Sequence, residues 1–249
     1  MAHACIGTSG WSYREWRGVL YPSGARPADY LAHYATQFSS VEVNATAYGL
    51  PRATAVERWC AVVPEHFMFA VKASHRMTHQ RRLRGCAADV REFAAAIAPF
   101  GAHLGPVLFQ LPPSLEADAA LLGGFLAEAR AALNSQILVC EFRHPSWYRA
   151  EVFAELQKAG AACCVHDMPG SALTAPPCSG PLYLRRHGTA GRYVGAYGRE
   201  RLEADARLID DALSAGYPAF AYFNNTADGA AIGDVRTLLT LLAKPDDDR

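Results

Sequence analysis

The stretch His3-Ala4-Cys5-Ile6-Gly7-Thr8-Ser9-Gly10-Trp11 decides the fold class of this 249-residue chain. It is a short, mostly apolar run that passes straight into a polar turn. Strands buried on both faces of a parallel sheet read as such runs, whereas half-exposed strands alternate. An open doubly wound sheet usually announces a nucleotide site by Gly-x-Gly-x-x-Gly after its first strand, where glycines let the backbone approach a pyrophosphate. Gly7-Thr8-Ser9-Gly10-Trp11 does not have that spacing. The first turn therefore weighs against the open sheet and for a closed barrel.

Runs of the same kind recur at His3–Thr8, Ser40–Asn44, Phe67–Lys72, Pro106–Gln110, Ile137–Phe142, Ala161–His166, Leu182–His187 and Ala219–Asn224. Helical spacing fills the gaps over Pro27–Phe38, Arg52–Val63, Ala87–Pro99, Asp118–Leu133, Ala150–Ala159, Arg199–Ala215 and Ala230–Leu242. Asp118 and Asp228 can cap helix starts, and Gly160 and Gly216 follow helix ends. Only the sixth crossover, Met168–Gly180, is too rich in Pro and Gly for a helix. Alternating strands and helices build a parallel sheet, and this length is typical of one closed α/β barrel. The prediction is a single (β/α)8 TIM barrel over residues 1–243, with an eight-stranded closed sheet. A frayed tail over 244–249, holding Pro245 and three aspartates, follows.

Composition narrows the class. Hydrophobic residues are 51% of the chain and charged residues 19%, which excludes global disorder. Lys plus Arg equals Asp plus Glu at 24 each, so no net charge pulls the whole molecule toward nucleic acid or membrane. No apolar stretch is long enough to cross a bilayer, so no membrane partner is expected. The N-terminal residues lack a basic region followed by an apolar stretch and a cleavage site. A cytoplasmic location is expected. The seven cysteines, Cys5, Cys60, Cys86, Cys140, Cys163, Cys164 and Cys178, are odd in number and contain no C-x-x-C pair. They read as small reduced hydrophobes in a cytosolic protein.

In a closed α/β barrel, functional groups gather where strands end and the following loops begin. The first strand ends in Thr8-Ser9-Gly10-Trp11, the second in Glu42-Val43-Asn44, the third in Lys72 and the fourth in Gln110. The fifth ends in Glu141-Phe142-Arg143-His144, the sixth in His166-Asp167, the seventh in Arg185-Arg186-His187-Gly188 and the eighth in Asn224-Asn225. Every strand leaves its apolar run on a group that hydrogen-bonds or ionises. Such groups are costly inside a barrel mouth unless partnered. Mutual ion pairs capping the core, Glu42 with Lys72 or Glu141 with Arg143, would explain some of them. Eight of eight favours a site.

Several blocks carry a resemblance as well. They are Gly7–Tyr13, Trp16-Arg17-Gly18, Tyr21-Pro22, Val41–Asn44, Phe69–Ser74, Thr78-His79, Phe109–Ser114, Glu141–Trp147, Arg185–Gly188 and Phe223–Thr226. In combination, and spread from end to end of the chain, they resemble the YecE-like family, catalogued as a domain of unknown function. The resemblance implies a TIM barrel and brings no named activity. The chain departs from the family pattern at Asn44-Ala45-Thr46-Ala47-Tyr48, where the family usually has Asn-Ser-Thr-Phe-Tyr. That departure removes a hydroxyl and an aromatic ring from the loop.

The charges suit a small anionic ligand, since arginines hold carboxylate or phosphate bidentately. Glu141, Asp167, His187 and Lys72 are the catalytic candidates, with acid–base or hydrolytic chemistry. Ser9, Trp11, Glu42, Asn44, Gln110, Arg143, His144, Arg185, Asn224 and Asn225 are the ligand-binding candidates. A metal on Glu42, Glu141, Asp167 and His187 is the weaker reading, because nearby cations compete for the carboxylates; no metal ligand is assigned, and the cofactor stays open. Lys72 as a Schiff-base former needs a depressed pKa, and Glu42 and Glu141 nearby are expected to raise it instead. The basic loop His75–Arg84 and the aromatics Trp11, Tyr13, Trp16, Tyr48, Trp147 and Tyr148 keep a nucleic-acid-binding or endonuclease-like barrel as the alternative. Gly188 and Gly191 allow a flexible lid. A non-catalytic barrel that binds a ligand or partner is the third reading. Thiol counting under denaturing, non-reducing conditions should return all seven cysteines; a lower count overturns the reduced assignment.

Overall fold

The structure, a computed structural model, describes residues 3–134, 136–191 and 193–243. The expected tail over 244–249 lies outside the described residues. The strands are β1 (Ala4–Ser9), β2 (Ser40–Val43), β3 (Met68–Lys72), β4 (Leu104–Gln110), β5 (Leu138–Glu141), β6 (Ala161–Cys163), β7 (Val165–His166), β8 (Leu182–Arg186) and β9 (Ala219–Phe223). All pair in parallel, in the order β6-β5-β4-β3-β2-β1-β9-β8-β7. The sheet ends, β6 and β7, are separated only by Cys164, so they are two halves of the expected sixth strand. The Cys164 N–H donates to the Cys140 carbonyl at 2.8 Å. That bond carries the chain from its pairing with β5 over to β8, and the barrel closes there.

Helices α1 (Tyr30–Ala35), α2 (Ala53–Ala61), α3 (Ala87–Ile97), α4 (Ala119–Leu133), α5 (Ala150–Ala159), α6 (Arg199–Ser214) and α7 (Ala230–Leu242) surround the sheet. The predicted helix over Pro27–Phe38 is shorter than expected, a 3₁₀ turn at Pro27–Asp29 leading into α1. Met168–Gly180 carries no helix; its start is held by reciprocal backbone bonds between His166 and Leu173, of 3.0 and 2.9 Å. Asp118 caps α4 by accepting from the Leu121 N–H at 2.9 Å. Gly160 ends α5 in the left-handed region, with φ +60°, where a side chain would be strained.

Side chains alternate across each strand, so one set faces the helices and the other fills the barrel. The outer set joins the helices in the main core, with Phe69, Phe109, Leu126, Leu156, Leu184 and Leu238 all buried. The inner set forms a separate apolar plug of Cys5, Ala70, Leu108, Val139, Ala162, Cys164, Tyr183, Phe220 and Tyr222. Two residues onward from plug members stand Lys72, Gln110, Glu141, His166, Arg185 and Asn224. Period-two geometry thus stacks a polar layer on the apolar one, toward the C-terminal ends of the strands. All seven cysteines are free thiols.

Outside the barrel, Arg186 of β8 is clamped bidentately by Asp205 of α6, at 2.7 and 2.5 Å, with both residues buried. Removing one partner of such a pair strands a buried charge. Asp205→Asn should cost about 3 kcal/mol or more, lowering Tm by roughly 6 °C or more. A Tm within about 2 °C of wild type, by calorimetry, would show that the pair does not hold α6 to the barrel.

Candidate functional site

The polar layer is organised by one arginine. Arg185, fully buried, reaches across the barrel from β8 and donates Nε and Nη2 to Glu42 of β2, at 2.9 and 2.7 Å. Its Nη1 donates to Glu141 Oε2 of β5 at 2.5 Å. Glu42 also accepts from Ser9 Oγ and from the Tyr183 hydroxyl, each at 2.7 Å. Burial alone would raise both carboxyls. Arg185 reverses this at Glu42, holding it below the usual range, and Arg143 and Arg185 together hold Glu141 well below it. Both glutamates are therefore fixed anions at neutral pH. The expected pair of Glu141 with Arg143 is present, through Arg143 Nε and Glu141 Oε1. The expected pair of Glu42 with Lys72 is not, because Arg185 takes Glu42.

The second tier surrounds His187. Arg143 Nη2 lies 3.1 Å from His187 Nε2, and Asn224 Nδ2 lies 3.2 Å from His187 Nδ1. Asp167 accepts the His187 backbone N–H at 2.9 Å and the Tyr197 hydroxyl at 2.5 Å. Burial pushes the His187 imidazole down to about 4, although Glu141 opposes this. His187 is thus neutral at physiological pH. Gly188 follows it with φ +103°, and a Cβ there would meet the Val194 carbonyl oxygen at 2.3 Å, so only glycine fits.

Above this tier opens a cavity of about 610 Å³, within the usual range for small-molecule sites. Its wall includes Lys72, Gln110, Arg143 and His187 from the predicted set, with Tyr48, His75 and His79 on one side and Met168, Ser171, Thr189 and Tyr193 on the other. Among the described residues, no aspartate or glutamate lines it. The Lys72 side-chain amine has no hydrogen-bond or ion-pair partner among the described residues. Burial, with Arg185 next, pushes its ammonium down to about 8 against the opposing pull of Glu141 and Glu42. The expected raised pKa is thereby corrected: burial, together with the arginine charges, outweighs Glu141 and Glu42. His75 and His79 stack with centroids 4.0 Å apart. Burial and then its neighbours His75 and Lys72 bring His79 down to about 4. The buried Nε2 of His75 and Oδ1 of Asn44 have no hydrogen-bond partner.

Other expected contacts fall outside the cavity wall. Ser9, Glu42, Glu141 and Arg185 are buried and do not line it. Asp167 and Asn224 hold His187 from behind. Trp11 turns to the outer layer, edge-on to Trp59 and Phe69 at 5.3 and 6.4 Å. His144 caps the turn Pro145–Trp147 by accepting from the Ser146 N–H at 3.3 Å. Asn225, buried, ties Asp234 Oδ2 to the Gly195 carbonyl, at 2.6 and 2.9 Å. The basic loop is also committed internally. Arg76 and Arg81 both grip Asp89, and Arg82 reaches Ser114.

Glu141, His166 and His187 bring three potential metal donors within 4.8 Å of one another. His166, absent from the predicted ligand sets, is engaged through both nitrogens, with the Phe142 carbonyl at 2.8 Å and the Met168 N–H at 3.2 Å. Both oxygens of Glu141 already accept from arginines. A divalent ion would have to displace these bonds beside two guanidinium groups, and the donor set therefore fits a metal poorly.

Comparison with known proteins agrees with this architecture. A solved DUF72 family protein from Thermotoga maritima superposes with a TM-score of 0.84 at 27% identity, covering 97% of this chain and 100% of that one. The UPF0759 protein YunF of Bacillus subtilis is 26% identical over 95% of this chain and 94% of its own length. The UPF0759 protein YecE of Escherichia coli is 31% identical over 144 residues, which are 57% of this chain and about half, 49%, of that relative. The family described as "Protein of unknown function DUF72" matches residues 5–248, and the chain belongs to it.

Proposed function

We propose that the barrel mouth binds a small ligand bearing a phosphate or carboxylate, with Arg143 and Lys72 as its charge partners. The observation that carries the reading is the makeup of the cavity wall. Among the described residues, Lys72 and Arg143 are the arginine and lysine side chains on the wall, and no carboxylate lines it. The three carboxylates at the strand ends, Glu42, Glu141 and Asp167, are turned away and satisfied by other groups. An anion entering the mouth would meet the Lys72 ammonium and the free edge of Arg143, which shares Glu141, in a partly desolvated setting where a charge-assisted hydrogen bond is strong. His79 and His187, both neutral near pH 7, are the proton acceptors for acid–base chemistry on that ligand. Within this reading, Glu141 and Asp167 position Arg143 and His187 and exchange no proton with the ligand.

Sulfate is a suitable first probe, because its charge is constant across the range in which Lys72 titrates. Calorimetric titration should show sulfate binding that weakens with added salt. Affinity should also fall as pH rises through about 8, where Lys72 loses its proton. Lys72→Arg should abolish that pH dependence. Arg143→Gln should weaken binding about tenfold or more, the worth of one hydrogen bond to a charged group. Unchanged Tm and no heat with sulfate, phosphate and a small dicarboxylate alike would end the proposal.

Glu141→Gln separates positioning from contact. It leaves two guanidinium groups short of a counter-charge, so stability should fall by about 3 kcal/mol. Sulfate should still stabilise the remaining fold. A variant of wild-type Tm that has lost sulfate binding would instead place Glu141 in direct contact with the ligand.

A further inference from the structure

The cavity wall contains a group whose chemistry differs from simple charge recognition. The chain has few lysines, and Lys72 and Lys158 are the two among the described residues. Lys158 is an ordinary surface lysine, its side chain 80% exposed and 3.9 Å from Glu155. Lys72 is 9% exposed at the end of β3, on the floor of the cavity. Its backbone is pinned: its carbonyl accepts from Thr46 Oγ1 at 2.7 Å, and the next N–H, of Ala73, donates to the Leu108 carbonyl at 2.8 Å. A fixed backbone and no partner at Nζ leave the amine aimed into open space.

We propose that Lys72 is a nucleophile that condenses with the carbonyl of an aldehyde or ketone ligand whose anionic group is held by Arg143. The anionic half of this assignment rests on the reading of the mouth given above; the amine chemistry rests on Lys72 itself. Burial and the two arginines favour the free amine, against the pull of Glu141 and Glu42. Glu42 and Glu141 would normally keep a neighbouring lysine protonated, but Arg185 and Arg143 occupy their oxygens. Arg185 and Arg143 stand near the amine as fixed cations that oppose the pull of Glu141 and Glu42. Burial works in the same direction. An amine so placed is unprotonated in a useful fraction near neutral pH, which is what activates a lysine for imine formation.

The step balances without a cofactor. The Nζ lone pair forms the C–N bond as the carbonyl π electrons move to oxygen. One amine proton passes to that oxygen, giving a carbinolamine. A further proton from solvent, which reaches the open cavity, lets the hydroxyl leave as water, and a protonated imine remains. That cation draws electrons from the adjacent carbon. A neutral imidazole, His79 or His187, is then available on the same wall to take a proton from it.

Reductive trapping tests the assignment on the full chain. The protein is incubated with sodium cyanoborohydride and, in separate arms, pyruvate, glycolaldehyde phosphate or uncharged glycolaldehyde. Adducts are located by peptide mass mapping. Lys72 should be labelled at least ten times faster than Lys158 by the anionic carbonyls. Its rate should rise with pH to a midpoint near 8, and sulfate should protect it. Lys72→Arg, checked for native circular dichroism, should lose that adduct and keep the slow labelling of Lys158. Equal labelling of both lysines, or none at Lys72, overturns the proposal even where sulfate binds and stabilises the protein. Selective labelling of Lys72 that is as fast with uncharged glycolaldehyde, and indifferent to sulfate, keeps the nucleophile and overturns the anionic handle. The ratio of phosphate to carboxylate arms tells which anion the mouth prefers.

Discussion

The Arg185 guanidinium is the constraint on which the mouth depends. It is buried where a lone cation would be prohibitively costly, and two glutamates from strands on opposite sides of the barrel make it tolerable. The converse holds as well: against burial, Arg185 is the main group that keeps Glu42 ionised, and at Glu141 it shares that task with Arg143. One arginine thus bridges β2, β5 and β8 above the apolar plug. The triad alone carries one excess negative charge, and Arg143, paired with Glu141, balances it. The charge left without a partner among the described residues is Lys72, on the cavity wall beside the free edge of Arg143.

Much of this arrangement was legible in the sequence. The eight apolar runs predicted the strands because a strand buried on both faces has no polar alternation to hide it. The polar strand ends were found for the same reason, since period two places Glu141 above Val139 and Arg185 above Tyr183. What the sequence did not reveal was partner choice. Glu42, Glu141, Lys72, Arg143 and Arg185 allow several pairings, and only the cross-barrel reach of Arg185 decides among them. That choice reversed the expected shift at Lys72. It also moved Glu42 and Glu141 from the cavity to its foundations.

The residues missed from the cavity wall share a different cause. His75, Met168, Ser171, Thr189 and Tyr193 lie in loops, whose path follows from contacts distant in sequence. The Tyr193 N–H donates to the His187 carbonyl, for example, at 2.8 Å. No periodicity marks such a residue beforehand. The glycines at 188 and 191 were a partial signal, because a chain that reverses closely upon itself needs them. Trp11 was misjudged in the opposite sense: its place in the chain suggested the mouth, but an adjacent helix supplies Trp59, and the indole packs there.

The interruption at Cys164 has a mechanical meaning. Elsewhere each strand is laced to a neighbour on both sides, whereas β6 is laced only to β5 and β7 only to β8, over three and two aligned residues. The wall therefore has a seam, with no helix braced behind the crossover that follows it. Partial unzipping should begin along this line, where the fewest hydrogen bonds have to yield at once. His166 and Asp167 sit at its upper end, and Asp167 holds His187. Elastic fluctuation of the seam is accordingly transmitted first to the imidazole beside Arg143, whereas Lys72 stands on β3, which is laced to β2 on one side and β4 on the other.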